Sequence, residues 1–135
     1  MERAAVVRRA WDAYAAGDLE GALQYFSPDA VWHTASDFPG TTSYRGHDGI
    51  RLLALETLTE FSLYRMTVTD VCDMGAFVMA HGVIYAERDG EPVIDRVTIW
   101  RCRVDGDMIR QVEAELVPGE TGTAPLPWGA APTPS

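Results

Sequence analysis

After Phe61 the hydrophobic rhythm of the chain changes, and that change limits what it can fold into. Before it, apolar side chains recur at helical spacing. After it they alternate through four successive runs, YRMTVTDVCDM, AFVMAHGVIYAER, PVIDRVTIWRCRV and MIRQVEAELV. A period of two places successive side chains on opposite faces of a strand. The last two joins carry Asp89-Gly90 and Asp105-Gly106, dipeptides suited to the positive φ angles of tight hairpins, so an antiparallel meander is predicted. The second run is apolar on both faces from Phe77 to Tyr85. That places it centrally, covered by helices on one side and by something else, a partner subunit being one candidate, on the other.

The region before Phe61 reads as three helices and one short strand. From Glu2 to Ala16, Val7, Ala10, Trp11 and Tyr14 recur at helical spacing, and Gly17 sits where a helix terminates. Asp18 is placed to cap a second helix carrying Leu19, Ala22, Leu23 and Phe26 on one face, ended by Ser27-Pro28. DAVWHT, residues 29–34, reads as a strand, ASDFPGTTSY as a loop, and His47 to Phe61 as the third helix, with Ile50, Leu53, Ala54, Leu58 and Phe61 as its stripe. The class is α+β, with three N-terminal helices packed on a curved, mostly antiparallel sheet.

One domain, residues 1–117, accounts for this pattern. Residues 118–135 form a Pro/Gly-rich tail, with Leu126, Pro127 and Trp128 able to fold back over an apolar opening. A net charge of -9 without a basic stripe argues against nucleic-acid and anionic-membrane partners. No signal-type segment or membrane-length apolar run is present, and a soluble cytoplasmic protein is expected. Cys72 and Cys102 lack C-x-x-C spacing, and His33, His47 and His81 lack metal-binding spacing. No metal or other cofactor is expected. No G-x-S-x-G, Walker or dinucleotide motif occurs either.

Asp95 is the awkward residue, because alternation aligns it with Val93, Val97 and Ile99. A carboxylate on an apolar face must be paired, hydrogen-bonded or protonated. Along the same strand the apolar character passes from odd to even positions after Ile99, which predicts a bulge or strong coiling there. Glu113 and Glu115 alternate with Val112, Ala114 and Leu116 and are expected on the outer face, paired with Arg96 or Arg101. With Met79, Val83 and Tyr85 beside them, that face suits a homodimer through the sheet.

The stretch AGDLEGALQYFSPDAVWH, followed by YRGHDGIR and the closing strands, resembles the SnoaL-like and ketosteroid-isomerase-like branch of the NTF2-like superfamily, a cone-shaped α+β barrel. The resemblance implies a deep apolar pocket beneath the helices, and it places Asp95 at the protonated acid that hydrogen-bonds a substrate oxyanion. A carboxylate paired with an Arg, or one at the pocket rim, is the alternative. The family's general base falls at Thr34 when counted from the strand and at Asp37 when counted back from Gly46. An Asx-turn ahead of Pro39-Gly40 is the plainer reading of Asp37, and His33 or His81 is a further candidate base. The family's helix-one tyrosine falls near Ala10, with Tyr14 one turn on. Trp32, Thr34, Tyr14, Val97 and Phe77 are expected to shape the pocket. An epoxide-hydrolase mechanism is disfavoured because Asp95 and Arg96 are adjacent and so point to opposite faces. The family hosts many activities. Two readings follow: a cofactor-independent acid/base enzyme of isomerase, cyclase or dehydratase type acting on a small apolar carbonyl compound, or a non-catalytic module for hydrophobic-ligand binding or dimeric association.

Overall fold

The computed structural model describes residues 1–35 and 42–117. Among these, the elements run α1 (Arg3–Ala15), α2 (Leu19–Leu23), β1 (Phe26–His33), β2 (Ser43–Arg45), α3 (Gly46–Glu60), β3 (Leu63–Asp73), β4 (Val78–Arg88), β5 (Glu91–Asp105) and β6 (Met108–Leu116). The fold is α+β, one six-stranded sheet in the order β2-β1-β6-β5-β4-β3. Every neighbouring pair is antiparallel except β1 and β6. No helix among the described residues is long and apolar enough to cross a membrane.

Local chemistry explains the boundaries. Gly17 takes φ 84° to end α1, and the Asp18 side chain accepts from the Gly21 N–H at 3.0 Å to start α2. α2 stops at Leu23, earlier than its apolar spacing predicts, because Tyr25 and Phe26 join the sheet: Tyr25 O accepts from Ile109 N at 2.7 Å, and Phe26 lies opposite Ile109. The helices are also not all N-terminal, since β1 and β2 precede α3. Three residues of β2 are too few to display a period, which is why that stretch reads as loop. At the β4–β5 turn both Asp89 and Gly90 have positive φ (54° and 81°), the backbone that a two-residue hairpin requires.

Three one-residue irregularities re-aim the strands. Thr69 is extra on β3, Val93 on β5 and Arg110 on β6. The inside–outside exchange predicted within β5 occurs instead on β3 and β6. Met66 and Val68 face the same side of β3 as Val71, and Ile109 the same side of β6 as Val112. β5 keeps one parity, with Ile94, Thr98, Trp100 and Cys102 all buried.

α1 packs across β3 to β6, and α3 lies against β1, β2 and β3. The core beneath them centres on Trp11, Phe26, Trp32 and Trp100. Trp11 stacks on Trp32 at 5.4 Å and 11° and meets Trp100 edge-on at 6.0 Å.

Candidate functional site

Two adjoining cavities open between the helices and the inner face of the sheet. The inner chamber, about 400 Å³ with the open solvent at its mouth included, is walled by Tyr14 of α1, Leu53 and Thr57 of α3, Trp32 of β1 with Thr34 and Ala35 just after it, Tyr64 and Met66 of β3, Ile84 of β4, Thr98 and Trp100 of β5, and Ala114 and Leu116 of β6. The outer vestibule, about 710 Å³ measured the same way, shares Tyr14, Thr57, Tyr64 and Met66 and adds Ala15, Gly17, Leu19, Ala54, Leu58 and Arg65. The vestibule is the roomier of the two, and the inner chamber is narrow, admitting only a small group between its walls.

The strands supply the inner wall by parity. Thr98 and Trp100 come from the even positions of β5, and Ile84 opposes Arg96 across β4. Arg96 shares that face, but its guanidinium turns to the end of β6, where it donates to Val117 O at 2.9 Å and Leu116 O at 3.3 Å. Trp32 is 5 % exposed and lies between Trp11, Phe26 and Tyr14, whose ring is 5.8 Å away. It is first a structural wall.

The polar groups of the inner chamber are hydroxyls. Neither Tyr14 nor Tyr64 has a hydrogen-bond partner for its hydroxyl among the described residues. Burial, with a smaller contribution from Tyr44, pushes Tyr14 up to about 12. Burial, and then Tyr14 itself, raises Tyr64 well above the usual phenol range. Both remain neutral donors at physiological pH. Thr57 Oγ1 donates to Leu53 O at 2.8 Å and Thr98 Oγ1 to Arg96 O at 3.1 Å. No carboxylate or imidazole lines either cavity among the described residues, and no cluster of metal-ligating side chains occurs among them.

Of the residues expected from sequence, Tyr14, Trp32 and Thr34 stand on the inner wall. Asp95 does not. It opposes Tyr85 on the other face of the sheet, half-buried. There Tyr85 donates to Glu87 at 2.5 Å, and Arg65 lies 5.8 Å from the Tyr85 ring centroid. The alternation of Asp95 with Val97 and Ile99 was correctly read but assigned to the wrong face, because the middle of β5 is apolar on both. Val97 follows the same parity: it is 1 % exposed and opposes Val83 on the outer face. Phe77 sits in the β3–β4 turn, where its carbonyl accepts from Met74 N at 2.9 Å, away from the cavity wall. His33 faces away from Trp32, opposite Glu113 and Ser43, and His81 opposes Ile99 on the outer face. Asp37 lies outside the described residues. Arg101 pairs with Glu115 at 2.9 Å, one of the two partners expected for it.

Sequence reasoning missed Tyr64, Thr57 and Thr98. Tyr64 and Met66 share a parity that marks the inner face of β3, and Thr98 lies two residues before Trp100. Hydroxyls carry no periodic signal that separates a cavity wall from a solvated surface.

A family model described as "SnoaL-like domain" matches residues 7–111. No curated protein matches. Among solved structures, an NTF2-like protein from Burkholderia thailandensis is 20% identical, with 84% of this chain and 89% of that one covered and a TM-score of 0.77. TerC, co-crystallised with polyporic acid, is 16% identical, with 83% and 88% covered and a TM-score of 0.73. A putative polyketide cyclase from Sinorhizobium meliloti is 18% identical, with 82% and 93% covered and a TM-score of 0.65. At these identities the likeness is one of fold.

Proposed function

Because the chain belongs to the SnoaL-like domain family, we propose that it seats the carbonyl end of a small, largely apolar compound at the inner chamber, its body in the vestibule, and polarises the carbonyl by hydrogen bonds from Tyr14 and Tyr64. The observation that carries this reading is the pair of half-buried, neutral phenols on the cavity wall without hydrogen-bond partners among the described residues. Donors held in a site that excludes water strengthen their bonds as charge builds on an oxygen, which favours enolisation and the ring closures or isomerisations that follow from it. A structural neighbour named as a putative polyketide cyclase and another crystallised with polyporic acid are consistent with such a ligand.

Enolisation also requires a base to take the proton from the adjacent carbon. Asp37 follows the wall residue Ala35 by two positions in the sequence. We assign the base role to Asp37. A second reading, a binding module without chemistry, is favoured by the lack of any carboxylate or imidazole on the described walls. The same protein is proposed to pair through the outer sheet face, where Met79, Val83, Tyr85 and Ile99 are half-buried beside the Arg101–Glu115 pair. A single sedimenting species of monomer mass at micromolar concentration would end that part.

Exchange in deuterated buffer separates the readings. With para-acetylbiphenyl as probe, the enzyme reading expects protein-dependent loss of the acetyl proton signal, slowed about 10-fold or more in Tyr14→Phe and Tyr64→Phe and abolished in Asp37→Asn. Binding without exchange leaves the module. Full affinity and exchange in the Tyr14→Phe/Tyr64→Phe double variant would remove the proposed donors.

A further inference from the structure

The two cavities offer a ligand different things. The residues that belong to the vestibule alone are Ala15, Gly17, Leu19, Ala54 and Leu58, with Arg65 the only charged one. They give an apolar body somewhere to rest and nothing to hydroxyl chemistry. The hydroxyls reach the inner chamber, those of Tyr14, Tyr64 and Thr57 from the wall shared with the vestibule and those of Thr34 and Thr98 from its own wall, and four of them divide into two kinds. A main-chain carbonyl can only accept, so the bonds from Thr57 Oγ1 to Leu53 O and from Thr98 Oγ1 to Arg96 O commit each threonine proton to the backbone. What Thr57 and Thr98 present to the cavity is lone pairs. Tyr14 and Tyr64 keep their protons for the ligand. The chamber therefore contains donors and acceptors together, and a plain ketone leaves the acceptors unmatched.

We propose that the ligand carries a hydroxyl, or another donor, next to its carbonyl oxygen at one end of an apolar body, and that this hydroxy-carbonyl end enters first while the body stays in the vestibule. The inference rests on the reading of the inner chamber as a carbonyl pocket and narrows it. The carbonyl oxygen meets the tyrosine hydroxyls, and the neighbouring hydroxyl donates to Thr57 or Thr98. Selectivity follows from the acceptor side, because a site built to bond a hydroxyl discriminates against the analogue that lacks it. Thr57 also stands on the wall common to both cavities, where the polar end and the apolar body of such a ligand would join.

The test is a pair of matched probes, para-acetylbiphenyl and para-hydroxyacetylbiphenyl, titrated into the full chain while following intrinsic tryptophan fluorescence, since Trp32 and Trp100 are wall residues. The hydroxylated probe is expected to bind about 10-fold more tightly. Thr57→Val, Thr98→Val or both should bring that ratio close to one. The corresponding serine variants, which keep the hydroxyl, should preserve the ratio and show that folding is not the cause. Equal affinities in the unmodified protein, or a ratio that survives in both valine variants, would overturn the proposal. If the ratio is one but Tyr14→Phe still weakens the acetyl probe, the carbonyl pocket stands and this inference alone is lost. Failure of both probes to bind removes the pocket reading and this inference with it.

Discussion

The two faces of β5 run side by side and are built on different principles. On the inner face Thr98, Trp100 and Cys102 are sealed, and the polar group among them is a neutral hydroxyl whose proton is already placed. On the outer face Asp95 and Arg101 are ionisable and sit among charges of the neighbouring strands, Arg101 with Glu115 and Asp95 opposite a Tyr85 that is itself bonded to Glu87. Charge is thus sorted mostly to the side where water and counter-charges are available; Arg96, which shares the inner parity, turns its guanidinium to the Leu116 and Val117 carbonyls at the end of β6. The cavity is left with hydrogen bonds between neutral groups as its means of recognition. One strand carries both arrangements because alternation lets it do so at no cost in length.

Substitution on the two faces should break this comparison most visibly in stability. Trp100→Ala removes a fully buried indole that meets Trp11 at 6.0 Å, and a loss of about 3 to 5 kcal/mol in denaturant unfolding is expected. Val97→Ala, on the outer face at the same strand, should cost only about 1.5 kcal/mol. Equal losses would mean that the two faces are not distinct in packing. Gly82 comes next. A Cβ there would lie 2.0 Å from Thr67 O and 3.1 Å from the Trp100 ring, beside the Thr69 irregularity of β3. Gly82→Ala must push strand β3 off β4 or displace Trp100, and about 2 to 3 kcal/mol is expected from the same unfolding measurement. An unchanged midpoint would show that β3 does not approach so closely.

Tyrosine ionisation sharpens the comparison at smaller amplitude. Tyr14 is raised chiefly by burial, Tyr85 first by its hydrogen bond to Glu87 and then by burial and the Glu87 and Asp95 charges, with Arg65 opposing. Difference absorbance titrations of the Tyr→Phe variants should place Tyr14 near pH 12 and show that salt shifts Tyr85 while leaving Tyr14 in place. The folded Tyr14 pKa lies above its unfolded value near 10, so its contribution is complete below about pH 10 and is lost as pH rises towards 12. Alkaline unfolding should therefore be later in Tyr14→Phe by roughly 2 kcal/mol of stability retained near pH 12, relative to each protein at pH 8. A Tyr14→Phe variant with the same alkaline profile would deny that Tyr14 is held neutral by burial.

Much of this was readable from residues alone. The four strands, the capping Asp18 and the hairpin at Asp89-Gly90 followed from period and turn chemistry, because those signals are local, and the family from the resemblance carried by AGDLEGALQYFSPDAVWH and YRGHDGIR. The choice of inner face was not readable on β5. Val97 and Ile99 on one side and Trp100 and Cys102 on the other are equally apolar, and the deciding fact is which side α1 and α3 cover, a long-range fact that no window of the sequence contains. The irregularities had the same fate. A face exchange was visible in the letters, but one extra residue at Thr69 or Arg110 produces it on another strand of the sheet as readily as on β5 itself. The hydroxyl set of the chamber was hidden for a third reason: threonine and tyrosine fit a strand on either face.

The smallest effect expected is at the residue that drew most attention in the sequence. Asp95→Asn keeps shape and removes a charge from a half-buried position on the outer face. The neighbouring hydroxyl of Tyr85 loses one of the charges that hold its proton, so the Tyr85 titration should move down slightly. A stability change of about 1 kcal/mol or less is expected. Affinity for acetyl and hydroxyacetyl probes should stay within about 2-fold, since the carboxylate and the chamber are on opposite sides of a strand whose side chains cannot change face without a register slip. A 10-fold loss of affinity in Asp95→Asn, with Tyr14→Phe unaffected, would reverse the assignment of the two faces and return the oxyanion role to the carboxylate.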